Sequence, residues 1–211
     1  QTIFTEDFLD PYRFHTNAPY PILIPLAENL FYNILGRVDD YSVKVIFALF
    51  YIVLLLFFYV TQKKYFLLTR LHSLIFTSVF ACLPFLFVIY NGSVPSAFAD
   101  FPLACFFTLA MFYLFNYMKG RDIRNIVIAS LFSCCCLFTK NEGMPLFLIS
   151  IAIFIIDSFI GKYLLNKNNI KALLIYIFLP IALLIPWFLI RVKLPVSFDN
   201  NPLPSLLVSN L

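Results

Sequence analysis

Charge is scarce in this sequence. Asp, Glu, Lys and Arg make up 12% of the 211 residues, against about a quarter in a soluble domain. No stretch is dense enough in Lys and Arg to grip a nucleic acid, so that partner is set aside. With two histidines and five glycines, the chain has no paired-His zinc motif, no Gly-rich phosphate loop and no Ser-His-Asp order. It also lacks the alternation that a membrane β-barrel requires. Its five cysteines, Cys82, Cys105, Cys134, Cys135 and Cys136, all lie in apolar blocks without metal-knuckle spacing. They read as small packing residues, not as a metal site.

What fills the space is hydrocarbon. Hydrophobic residues make up 62% of the chain, mean hydropathy is +0.89, and 27 residues are Phe. The apolar residues come in blocks of 16 to 22, parted by short polar knots. That pattern predicts an all-α, polytopic transmembrane helical bundle. Six spans are expected, over 42–61, 73–90, 101–118, 124–139, 144–161 and 171–192. Residues 1–40 read as a first extracytoplasmic loop, and 194–211 as the start of another. The chain opens on Gln1 and closes on Leu211 in a Pro-rich stretch. It is expected to be part of a longer protein.

Sidedness follows from the basic residues of the short loops. Lys63, Lys64 and Arg70, then Lys119, Arg121 and Arg124, then Lys162, Lys167 and Lys171 fall on one side, nine of fifteen. These loops are expected in the cytoplasm. Nine of eleven acids, among them Glu28, Asp39, Asp40, Asp100 and Glu142, fall on the other. The outer face is therefore acidic and polar, and is where chemistry is expected. Within the first loop, "YPILIPLAENLFYNILG" carries Ile22, Leu26, Leu30 and Ile34 at four-residue spacing, opened by Pro21 and Pro25 and closed by Gly36. It reads as a short amphipathic helix over about 21–35, either lying in the outer interface or packed on the bundle as a lid.

Four groups on the outer face carry candidate chemistry. Asp100 lies in "ADFPLA", two residues before Pro102. It reads as a helix N-cap, as a binding or catalytic carboxylate, or as both. Lys140 and Glu142 lie in the tight turn "TKNEG". They read as an ordinary charged turn, or as a point charge for a lipid phosphate beside a carboxylate for sugar hydroxyls. Arg191 and Lys193 end the last span, where they snorkel or add to an anion site. His15, Asn17 and Tyr20 are loop residues open to either a structural or a binding role. Asp157 lies near the inner end of its span, and local pairing close to Gly161 and Lys162 is its simpler reading.

The order "YPILIPL" helix, span, basic turn, "ADFPLA", "KGRD", short span and "TKNEG" resembles the GT-C glycosyltransferases that use polyprenyl-phosphate sugars. Within that superfamily it looks most like bacterial relatives of the protein O-mannosyltransferases and of the transferase that adds aminoarabinose to lipid A. The likeness runs over roughly residues 15–190. It implies an inverting enzyme of a bacterial inner membrane. Such an enzyme moves a sugar from a polyprenyl-phosphate donor to a lipid, glycan or protein acceptor at the outer face. Asp100 matches the second outer acid of the pattern, a supporting role. Lys140 and Glu142 match the TK-x-EG turn, with the Lys near the donor phosphate. "TNAPYP" has Asn and Ala where a basic residue is expected, and His15 is the nearest candidate for it; Tyr20 and Arg191 join the candidate donor-binding set. The principal catalytic acid is expected about thirty residues upstream of the Pro-rich helix, before Gln1. No organic cofactor is implied, and a divalent cation is left open. The competing reading is a transporter or flippase, which favours repeated halves and charge near the midplane. A noncatalytic scaffold is the third.

Overall fold

The structure is a computed structural model and describes residues 21–88, 94, 97–163 and 165–192. His15, Asn17, Tyr20 and Lys193 lie outside the described residues, as do the expected loop over 194–211 and the side chain of Arg191. Every regular element among the described residues is helical. In chain order they are α1 (Leu23–Leu35), a 3-10 turn (Ser42–Lys44), α2 (Val45–Tyr65), α3 (Arg70–Ala81), α4 (Phe85–Val88), α5 (Asp100–Gly120), α6 (Ile123–Thr139), α7 (Gly143–Ile160) and α8 (Lys167–Arg191).

Four segments are long and apolar enough to cross a membrane: Ser42–Tyr65, Asp100–Gly120, Gly143–Ile160 and Lys167–Ile190. The chain is an integral, multi-pass membrane protein. α6, at 17 residues, spans about 25 Å and is short for the roughly 30 Å of a hydrocarbon core. It is also the most central helix, packed on α5, α7 and α8.

The expected span over 73–90 is not one helix. α3 runs for 12 residues and stops at Ala81, and a single turn, α4, resumes at Phe85. Pro84 explains the break: it has no N–H to give, and it drives Leu83 out of the helical region. The freed carbonyl of Ala81 is caught by the Tyr51 hydroxyl of α2 at 2.8 Å. Past the break, Leu86 and Val94 pack with Phe101 and Cys105 at the start of α5. The described residues beyond the break therefore lie against the start of α5.

Helices α5 to α8 share the main core. Leu114 and Tyr117, Ile126 and Ala129, Phe147 and Phe154, and Ala172 and Tyr176 meet there in pairs from each helix. Small residues line these contacts, as expected where lipid removes the hydrophobic drive and close approach supplies dispersion instead. A hydroxyl chain joins three helices in this core. Tyr176 donates to Ser150 Oγ at 2.7 Å, lies 2.9 Å from Ser133 Oγ, and Ser150 donates on to the Phe147 carbonyl. α2 stands to one side, with only 11% of its apolar window buried by protein.

α1 ends on Gly36, whose φ of 68° closes the helix in the left-handed conformation that glycine tolerates. Ile24 is its buried residue, while Leu30 and Ile34 of the expected stripe are exposed. Ile22 and Leu26 are partly buried, so the stripe leaves the bundle towards its C-terminal half. Of the two acids before α2, Asp39 caps the turn: it accepts from the Tyr41 and Ser42 amides, each at 3.1 Å, and from the Ser42 hydroxyl at 2.8 Å. These bonds, those from Ser42 first, hold its carboxyl below the ordinary range. Asp40 instead accepts from Tyr32 of α1 at 2.8 Å.

Candidate functional site

Asp100, Lys140 and Glu142 meet at the acidic end, brought together from the start of α5, the end of α6 and the start of α7. Lys140 Nζ lies 2.7 Å from Asp100 Oδ1 and 3.3 Å from Glu142 Oε1. The lysine is the most sheltered of the three, with 20% of its side chain exposed against 41% for Asp100 and 54% for Glu142. Partial burial pulls the lysine's pKa down, but its bonds to Asp100 and Glu142 outweigh that, and the net shift is upward. Lys140 is therefore a fixed cation. It carries three N–H donors, of which the two carboxylates occupy two. The third remains for an anionic oxygen, and both carboxylates retain lone pairs for hydroxyl donors.

Asp100 does not act as an N-cap. The cap position is Ala99, with helical dihedrals and no side-chain bond, and Asp100 is the first residue inside the helix. Its charge still complements the helix dipole from the first turn, but its hydrogen bond goes 40 residues along the chain to Lys140. Pro102 sits in the same turn, where an N–H has no partner to lose.

Glycine makes the "TKNEG" turn possible. A Cβ on Gly143 would stand 2.1 Å from the Cys136 carbonyl oxygen and 2.9 Å from the Leu137 nitrogen, both backbone atoms of α6. The start of α7 therefore lies directly on the α6 backbone. Gly143 donates to the Lys140 carbonyl at 2.9 Å and Met144 to that of Asn141 at 3.1 Å. This tight closure puts Glu142 back beside Lys140.

Asp100 also heads a groove of about 670 Å³ along the α2–α5 seam. Phe57 and Phe58 of α2, Phe80 of α3, and Phe107, Met111 and Phe115 of α5 are among its walls, and Asp100 is the one charged lining residue among the described residues. From Asp100 to Phe115 the groove follows α5 for about 22 Å, so its apolar length is that of a lipid chain.

A second half-buried acid lies on α1. Glu28 on α1 has its pKa raised, first by burial and then by the Asp40 carboxylate. Sequence reasoning placed it on the outer face but gave it no role. Burial is not readable from its position off the apolar stripe.

At the opposite end, Asp157 does not pair locally with Lys162. Arg121 Nη2 donates to it at 3.0 Å, and the Tyr163 hydroxyl also donates to it. Arg121 lies over the Tyr163 ring, 3.6 Å from its centroid. No group of three or more metal-ligating side chains occurs among the described residues, and Asp100 and Glu142 both contact Lys140. No protein-family model, curated protein or solved structure matches the chain.

Proposed function

We propose that this membrane protein transfers a sugar from a polyprenyl-phosphate donor to an acceptor hydroxyl. The observation that carries the reading is one of continuity. A charged cluster with a spare lysine N–H stands at the mouth of an apolar groove of lipid length, joined to it through Asp100. In this reading the isoprenoid tail lies along α2 and α5, and the donor phosphate accepts from Lys140. Asp100 and Glu142 accept from sugar or acceptor hydroxyls and hold Lys140 in place. The resemblance to the GT-C glycosyltransferases supports the same assignment of Asp100 as the supporting acid.

The chemistry then follows. The acceptor oxygen attacks the anomeric carbon from the face opposite the phosphate, the bond from that carbon to the phosphate oxygen breaks, and the anomeric configuration inverts. The acceptor proton passes to a base. Charge grows on the departing phosphate in the transition state, and a lysine fixed before the reaction stabilises it without reorganising. No described residue is assigned as that base.

The transporter reading draws less support. Charged side chains of the described spans sit near helix ends, and the described interior of the bundle is bridged by Ser and Tyr hydroxyls. The test is transfer from a radiolabelled polyprenyl-phosphate sugar in membranes holding the whole protein. Lys140→Ala is expected to lower transfer by about a hundredfold, the scale of removing one preorganised donor, and Asp100→Asn by less, with membrane insertion intact in both. Transfer at the wild-type rate in both variants would sink the assignment.

A further inference from the structure

The end of the bundle opposite Lys140 holds a second polar constellation, which the transfer chemistry does not use. Among the described residues this end carries nine cations, Lys63, Lys64, Arg70, Lys119, Arg121, Arg124, Lys162, Lys167 and Lys171, against two carboxylates, Asp122 and Asp157. Both carboxylates are already engaged. Arg124 holds Asp122 at 3.0 Å, and Arg121 holds Asp157 at 3.0 Å. Hydrogen bonds from Arg124 also keep the Asp122 carboxyl below its ordinary range.

Between these groups lies a pocket of about 540 Å³, whose lining includes Arg121, Asp122, Tyr163, Asn168, Asn169 and Lys171. Its polar lining combines two cations, three amides and one carboxylate that is already paired. Arg121 is fixed there by its bond to Asp157, by Asn169 Oδ1 at 3.4 Å and by stacking on Tyr163. A guanidinium has five N–H donors, and these contacts use two. Asn169 is buried and held in turn by donating to Ser158 Oγ at 2.9 Å. Lys171 makes no ion pair among the described residues. The pocket lies where the spans end, at headgroup depth, and the positive-inside rule puts it on the leaflet that carries anionic lipid.

We propose that this pocket binds a phosphate ester, with Arg121 as the preorganised fork and Lys171 as the mobile point charge. A stacked arginine with three N–H groups still free, beside a lysine and a row of amides, matches a tetrahedral anion with several acceptor oxygens. The neutralised Asp122 and Asp157 leave the pocket with a positive balance. The inference does not depend on the sugar-transfer reading, since it uses none of those residues.

The experiment follows thermal unfolding of the whole detergent-solubilised protein during titration with dioctanoyl phosphatidylglycerol, dioctanoyl phosphatidylcholine or glycerol phosphate. Phosphatidylglycerol is expected to raise Tm saturably and phosphatidylcholine to do so less. Lys171→Ala should weaken the apparent affinity about fivefold, the scale of one basic residue at a lipid surface. Lys64→Ala, at the same end but outside the pocket, should leave it unchanged. A response to glycerol phosphate equal to that for phosphatidylglycerol identifies a soluble ester as the ligand, and a response to the lipid alone identifies a headgroup. The proposal fails if neither anionic ester, phosphatidylglycerol or glycerol phosphate, shifts Tm more than zwitterionic phosphatidylcholine does. It fails equally if Lys171→Ala and Lys64→Ala weaken binding alike.

Discussion

Gly143→Ala tests the contact that holds the "TKNEG" turn closed. The added carbon would lie 2.1 Å from the Cys136 oxygen, and an ordinary contact begins at 3.4 Å, so α7 has to retreat from α6 by about 1.3 Å. The obstructing atoms are backbone, so no side-chain rotation relieves the clash. Overpacking of this kind costs about 1–3 kcal/mol. For a chain of this length that lowers Tm by about 2–12 °C. The retreat also carries Glu142 away from Lys140, from 3.3 Å to beyond ion-pair reach, while the Lys140–Asp100 bond, made between α5 and α6, stays. Thermal unfolding of the purified protein reads the first effect. Gly120→Ala is the control, because nothing lies within 4 Å of a Cβ there; removing a helical glycine is expected to leave Tm unchanged or raise it slightly. Equal melting of Gly143→Ala and wild type, or equal losses in both variants, would refute the close approach of α7 to α6.

Three further outcomes are expected. A double-mutant cycle of Asp100→Ala and Lys140→Ala should give a coupling of about 0.5–1 kcal/mol in unfolding, modest because the pair is partly open to water; zero coupling would separate the two residues. Glu28 binds its proton more tightly folded than unfolded, so its ionisation opposes folding. The penalty is absent below the unfolded pKa near 4.5 and complete above the raised folded value. Glu28→Gln should therefore raise Tm at neutral pH and leave it unchanged in acid, and a pH-independent effect would contradict the linkage. Tyr176→Phe strips a partner from Ser133 and Ser150 inside the bundle and should cost about 0.6–2 kcal/mol in denaturant unfolding; no loss would mean the hydroxyl chain is incidental.

Helix positions were largely legible because apolar blocks of span length have few other ways to fold. α5, α6 and α7 lie within one or two residues of the ranges expected from the sequence. The run over 73–90 was misread as continuous although Pro84 stands inside it, since composition averages over a single breaker. Asp100 was harder. A carboxylate before a proline at a helix start satisfies every local rule for a cap, and only the fold brings Lys140 to it from 40 positions away. Asp157 shows the same limit: its partner Arg121 is 36 positions back, while the sequence offers Lys162 close by. The pocket around Arg121 and Lys171 is assembled from two chain segments about forty residues apart and leaves no pattern at any fixed spacing. The glycine of "TKNEG" was visible as a letter, but its necessity depends on how near α6 comes.

The interruption at Pro84 bears on how this protein enters a bilayer. α3 is about 18 Å long, too short to bridge the hydrocarbon by itself, and it ends on carbonyls that oil cannot solvate. α2 is long enough to insert first, and its Tyr51 supplies the hydroxyl that the Ala81 carbonyl lacks. The two therefore insert as a hairpin, with the earlier helix serving as solvent for the later one. The basic turn that follows Lys63 and Lys64 is the hinge of that hairpin, and the Tyr51 bond to Ala81 closes it.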